Sequence, residues 1–197
     1  MTETVTLALS ELRSLITKSA RGAGLSWGQA EEAGWAAEWL ARRELPAADW
    51  AVVWLAARVD GAVSPVEVGA SLADEFSTTS AITGETLPDG LAAPGYLLPF
   101  LHRIAQAGST LQIASTTGRV ASVSSAGDVT FGPSWQSQSD GWHLCEAGDA
   151  PSQSRPAARP RVSRLTLERL ETLALRTTVP PSVTSRLDAG ATDGDND

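Results

Sequence analysis

Cysteine and lysine are nearly missing from this chain. Cys145 is the single cysteine among 197 residues, so neither an intramolecular disulfide nor a cysteine-built zinc cage is expected. Lys18 is the single lysine. The other basic residues are arginines, a bias that reflects a GC-rich coding genome more than chemistry. The opening stretch MTETVTLALSELRSL has no basic n-region and no uninterrupted apolar core, so it does not read as a secretory signal. No apolar run approaches the roughly 20 residues that span a bilayer. By elimination the chain is expected in the cytoplasm, with no membrane partner. A basic surplus is also lacking: 15 Lys and Arg face 23 Asp and Glu, for a net charge of −8. Nucleic acid is therefore not expected as a partner, since its phosphates call for a basic surface. The segment from Arg155 to Arg176 is the one candidate basic patch.

What is present is enough apolar material for a core, at 42% hydrophobic and 19% charged residues. The length suits one domain. Leu9, Leu12 and Ile16 recur at helical spacing, with Leu15 beside them. The run Arg21-Gly22-Ala23-Gly24 stops that helix, because glycine takes a left-handed C-cap without penalty. Ser26-Trp27-Gly28-Gln29 fits a capping box that starts a second helix, running to about Arg43. Its apolar residues are mostly alanine (Ala30, Ala33, Ala36, Ala37, Ala41), with Gly34 among them. Such a face lets another backbone approach closely. Trp35 and Trp39, one turn apart, are expected to pack as a pair. Pro46 suits the first turn of a third helix, with Trp50, Val53, Trp54 and Ala57 on one face. Five of the seven tryptophans lie between Trp27 and Trp54, which predicts a tryptophan-rich core among three helices.

Beyond Asp60 the pattern loosens. Gly61, Pro65, Gly69 and the polar run Ser77 to Ser80 suggest turns and short elements, and Pro88-Asp89-Gly90 a turn. A short helix is expected over Tyr96 to Ala107. After Gly108 the period becomes two. Leu111 to Ser115, Arg119 to Val123, Val129 to Phe131 and Trp142 to Glu146 read as strands of an antiparallel meander. Arg161 to Arg164 could add a strand. A last helix should cover Thr166 to Arg176, capped by Thr166, with Leu167, Leu170, Leu173 and Ala174 inward. The predicted class is α+β: a three-helix region (1–59), a mixed connection (60–107), an antiparallel sheet (108–165), then a helix and glycine-rich tail (166–197).

Motifs for chemistry are sparse. There is no Gly-x-Ser-x-Gly, no His-Glu-x-x-His and no cysteine pair. His143 and Cys145 share a strand face, but parallel side chains suit neither a base–nucleophile pair nor a metal site, and no metal is expected. Arg21-Gly22-Ala23-Gly24 ahead of a capped helix superficially resembles a phosphate cradle, yet it follows a helix and not a strand. Glu31 and Glu38 share a helix face as carboxylates. By composition, the tail from Pro180 to Asp197 reads as an acidic, disordered terminus. Its hydroxyls, arginine and carboxylates also suit a polar small molecule or hard cation.

Two sets of residues resemble the bacterial domain-of-unknown-function family 3726. The first runs Ala20-Arg21-Gly22-Ala23-Gly24, Trp27-Gly28, Ala30-Glu31-Glu32-Ala33-Gly34, Trp39-Leu40 and Leu45-Pro46. The second is Val179-Pro180-Pro181-Ser182, Ser185-Arg186, Gly190-Ala191 and Asp195-Asn196-Asp197. Pro181, Thr178 and Asp188-Ala189 depart from that pattern. The resemblance implies that the tail belongs to the domain and that both ends meet in one site. The expected ligand site is then Arg21, Gly22, Gly24 and Glu32 with Ser182, Ser185, Arg186, Asp195, Asn196 and Asp197. Arg21 and Arg186 would grip a substrate carboxylate. The expected function is a small-molecule-metabolism enzyme or subunit, its reaction and cofactors unspecified. The alternative is a non-catalytic accessory subunit that binds a metabolic-enzyme partner or a second copy of itself.

Overall fold

Ala8 gives its N–H to the Glu11 carboxylate at 2.6 Å, and the first helix starts there. The computed structural model describes residues 3–79, 84–136, 140–147 and 159–177. Helix α1 (Leu9–Gly22) buries Leu12 and Ile16 fully, as their spacing predicts. Helix α2 (Trp27–Ala41) starts at the expected box: Ser26 Oγ accepts from the Gln29 N–H at 3.3 Å, and Gln29 Oε1 accepts from the Ser26 N–H at 3.0 Å. Ala30, Ala33, Ala36 and Ala37 are completely buried, and α1 lies along that small-residue face. Helix α3 (Ala47–Val59) begins directly after Pro46. The buried Tyr96 hydroxyl pins its start by donating to the Ala47 carbonyl at 2.9 Å.

Helix α6 (Arg164–Leu175) completes a four-helix group. It runs alongside α1, with Ser19 Oγ donating to the Leu170 carbonyl at 2.8 Å. It also meets α3, where Thr166 donates to Asp49 Oδ1 at 2.6 Å. The cap differs from expectation. Ser163, not Thr166, takes that role, its Oγ accepting from the Thr166 N–H at 3.1 Å. Thr166 is buried in the first turn of α6 and uses its hydroxyl on Asp49.

The tryptophan expectation holds in part. Trp54 is 1% exposed, edge-on to Tyr96, but Trp27 is 65% exposed. Trp35 and Trp39 do not face each other; each ring meets α5 (Leu98–Ala105), through Phe100 and His102 respectively. Helix α4 (Pro65–Thr79) occupies a stretch that reads as turns. Pro65 sits at its first position, where its missing N–H costs nothing. Gly69 is there for contact: a Cβ would run into the Phe100 ring of α5.

Strands β2 (Thr110–Ser115), β3 (Gly118–Val123), β4 (Val129–Phe131) and β5 (His143–Ala147) form an antiparallel sheet in the order β4-β3-β2-β5. Three of them make the expected meander, and β5 returns to the free edge of β2, the Greek-key arrangement. Leu111, Ile113, Ala121, Val123 and Leu144 supply its buried face, which packs on α5. A separate pair joins β1 (Thr4–Thr6) to β6 (Arg161–Ser163), with Val5 opposite Val162. The fold is α+β, and its buried apolar residues form one contiguous cluster. No helix among the described residues is long and apolar enough to cross a membrane.

Candidate functional site

The Arg21–Gly24 turn spends its polar groups on itself. The N–H groups of Ala23, Gly24 and Leu25 bond to the carbonyls of Ser19, Arg21 and Ala20 at 2.9–3.1 Å, so no row of free amides remains to cradle an anion. Gly24 has φ +94°, the left-handed conformation that closes α1. Gly22 is there for α6: a Cβ would collide with the Leu173 carbonyl. The Arg21 guanidinium donates from Nη1 to the Leu25 carbonyl and lies 4.7 Å from the Trp27 ring centroid, a cation–π contact. Its Nε is buried without a hydrogen-bond partner.

Glu32 points elsewhere. It lies on α2 with Gly28, Glu31 and Trp35 at helical spacing i, i+3, i+4, i+7, which sets these residues on one face. With Arg13 of α1 and Arg103 of α5, they line a cleft of about 380 Å³. Arg103 Nη1 is 3.4 Å from Glu32 Oε1. Its guanidinium sits 4.4 Å from the Trp35 ring and 5.5 Å from Phe100. Trp35 and Phe100 meet edge to face at 5.4 Å and 74°. Across the cleft, Arg13 Nη1 is 3.3 Å from Glu38 Oε2, and Arg42 Nη2 is 2.5 Å from Glu38 Oε1. The hydrogen bond from Arg42, helped by Arg13, holds the Glu38 carboxyl below the usual carboxylate range. Arg13 and Arg103 keep about half their side chains open to solvent, at 50% and 42%.

Spacing on α2 could reveal Glu31, Glu32 and Trp35. Nothing in the sequence announces Arg13 and Arg103, because they reach the same place from two other helices. Arg103 does follow Phe100 by three on α5, a weak amphipathic signal.

One turn further along the α2–α5 seam, Trp39 Nε1 donates to His102 Nδ1 at 3.0 Å. Arg43 stacks on the Trp39 ring at 3.6 Å. Burial, then the Arg43 charge, pushes the His102 imidazole below its ordinary pKa. On β5, His143 and Cys145 are half-buried, and burial raises the Cys145 thiol. A raised thiol is a poor nucleophile. Among the described residues, no three His, Cys, Asp or Glu side chains gather as a metal site. Ser182, Ser185, Arg186, Asp195, Asn196 and Asp197 lie outside the described residues.

A family model described as Protein of unknown function (DUF3726) matches residues 7–50. This stretch runs from just before α1 into α3 and holds Arg13, Gly28, Glu31, Glu32 and Trp35, whereas Arg103 and the closing motifs at 179–197 fall outside it. No curated protein and no solved structure matches the chain.

Proposed function

We propose that this chain, whose first helices carry the match to that family of unknown function, binds a small polar carboxylate in the α1–α2–α5 cleft. The supporting observation is the pair of half-exposed guanidiniums, Arg13 and Arg103, facing one space of about 380 Å³ over the Trp35 ring. That volume falls in the usual range of small-ligand sites. Arg103 is held in place before a ligand arrives, by the Trp35 and Phe100 rings on one side and Glu32 on the other. Its planar fork has further donors for a ligand carboxylate. Glu31 and Glu32 favour a ligand that also carries an ammonium or a hydrogen-bond donor. Within this reading the chain serves as an enzyme or enzyme subunit of small-molecule metabolism. Ser182, Ser185, Arg186 and Asp195 to Asp197, which lie outside the described residues, are proposed as further polar groups for that ligand, whereas Arg21 is committed to the Leu25 carbonyl and the Trp27 ring.

Thermal-shift assays with L-glutamate and succinate test this on the full chain, on Arg103→Gln, and on a chain ending at Thr177. A carboxylate-induced shift in the full chain that Arg103→Gln abolishes is expected. No shift with either probe, or one indifferent to Arg103, contradicts it. An equal shift in the shortened chain removes the C-terminal residues from the site.

The accessory reading rests on the 65% exposure of Trp27 beside the Arg21 guanidinium. Light scattering on wild type and Trp27→Ala checks it. A mass above the monomer that falls to monomer in the variant supports it, and a wild-type monomer at all concentrations counts against self-association.

A further inference from the structure

We propose that Trp39, His102 and Arg43 form an acid-sensitive latch between the α2–α5 seam and the β3–β4 turn, which opens when His102 takes up a proton at Nδ1. The turn in question spans Ser124 to Asp128. An indole N–H only donates, so the 3.0 Å bond from Trp39 requires a lone pair on Nδ1 of His102. The other ring nitrogen, Nε2, then carries the hydrogen and donates to the Ser125 carbonyl at 3.3 Å. Both nitrogens are committed in the neutral ring, one to the helix and one to the turn.

Arg43 ties the same two layers. Its Nε donates to the Gly127 carbonyl at 2.6 Å, its Nη1 to the Trp39 carbonyl at 3.2 Å, and its guanidinium covers the Trp39 ring. Gly127 leaves no clearance: an added Cβ would strike the Arg43 guanidinium and come within 3.0 Å of His102 Nε2. Among the described residues, the charges around the imidazole are Arg43, just past the C-terminus of α2, and Asp128 of the turn, whose field acts on Arg43. Its α5 neighbour Arg103 is turned toward Trp35 and Glu32 instead.

Protonation and the closed latch therefore exclude each other. A proton on Nδ1 displaces the Trp39 N–H and sets an imidazolium beside the Arg43 guanidinium. Linkage fixes the sign. The folded imidazole holds its proton less tightly than the unfolded one. The latch's stabilisation is complete above about pH 6.5 and is lost as pH falls from there toward the folded value.

The test compares wild type with His102→Gln, whose amide oxygen still accepts from Trp39 but does not titrate. Between about pH 7.5 and about pH 5.5, the wild-type Tm is expected to fall further than the variant's, because only the wild-type ring holds its proton less tightly folded than unfolded. Parallel falls overturn the latch. Should the variant fail to fold, the imidazole of wild-type His102 is titrated by NMR, with His143→Gln assigning the second ring. Titration below pH 6.5, accompanied by a shift of the Trp39 indole N–H resonance, supports the latch; titration at or above 6.5, or an indole signal that does not respond, overturns it. Neither readout uses a ligand, so the outcome is independent of the carboxylate cleft.

Discussion

Gly22 and Gly24 are two residues apart and do different work. Gly24 supplies a backbone torsion; Gly22 supplies space for the α6 backbone. Gly24→Ala should cost about 1 kcal/mol, the penalty for a left-handed alanine. Gly22→Ala should cost about 1–3 kcal/mol or more, because a methyl group forces two packed helices apart. Urea unfolding separates the two, and equal costs would mean that α6 does not rest on Gly22. From the sequence both glycines read as one helix stop. The torsion is a local property and was visible there; the contact depends on a helix some 150 residues away and was not. Arg21 gives the same lesson. It reads as a ligand grip, yet its guanidinium is spent on the Leu25 carbonyl and the Trp27 ring.

Element by element, legibility follows how local the deciding interactions are. Ser26 and Gln29 settle the start of α2 between themselves, and the spacing shows it. The start of α6 is ambiguous locally, since Ser163 and Thr166 can both cap. Asp49 of α3 decides it by claiming the Thr166 hydroxyl, which leaves Ser163 to the backbone. Ser163→Ala should therefore cost about 1 kcal/mol as a lost cap. Thr166→Val should cost about 1–3 kcal/mol by leaving the Asp49 carboxylate short of a donor. A Ser163→Ala variant as stable as wild type would return the cap to Thr166. Helix α4 hides behind Pro65 and Gly69, two residues that usually break helices. Only the Phe100 ring explains why glycine is wanted there. Strand β1 is three residues long and pairs across the chain with β6, so no local period marks it.

For the molecule as a whole, charge and pH connect the helical layer to the sheet. Glu38 is held ionised by Arg42 and Arg13, and His102 is held neutral by burial and Arg43. Both depressed groups bind protons more readily in the unfolded chain, so both contribute stability that fades as pH falls. The His102 part is lost first, below its ordinary range, and the Glu38 part at lower pH. Replacing Glu38 by Gln should flatten the lower limb of a Tm-against-pH curve and leave the upper limb unchanged; loss of the upper limb instead would reassign it away from His102. The cleft itself is a whole-molecule feature. Arg13, Glu32 and Arg103 come from three helices and converge only in the fold, so the sequence shows its α2 face and conceals the rest.

The cleft is tested most directly by calorimetric titration of L-glutamate and succinate into the full chain and into Arg103→Gln. Saturable binding in the full chain, weakened about 10-fold or more by the substitution as a lost charged hydrogen bond requires, is the predicted result. Binding of equal strength in both proteins, or no heat with either carboxylate, would contradict it.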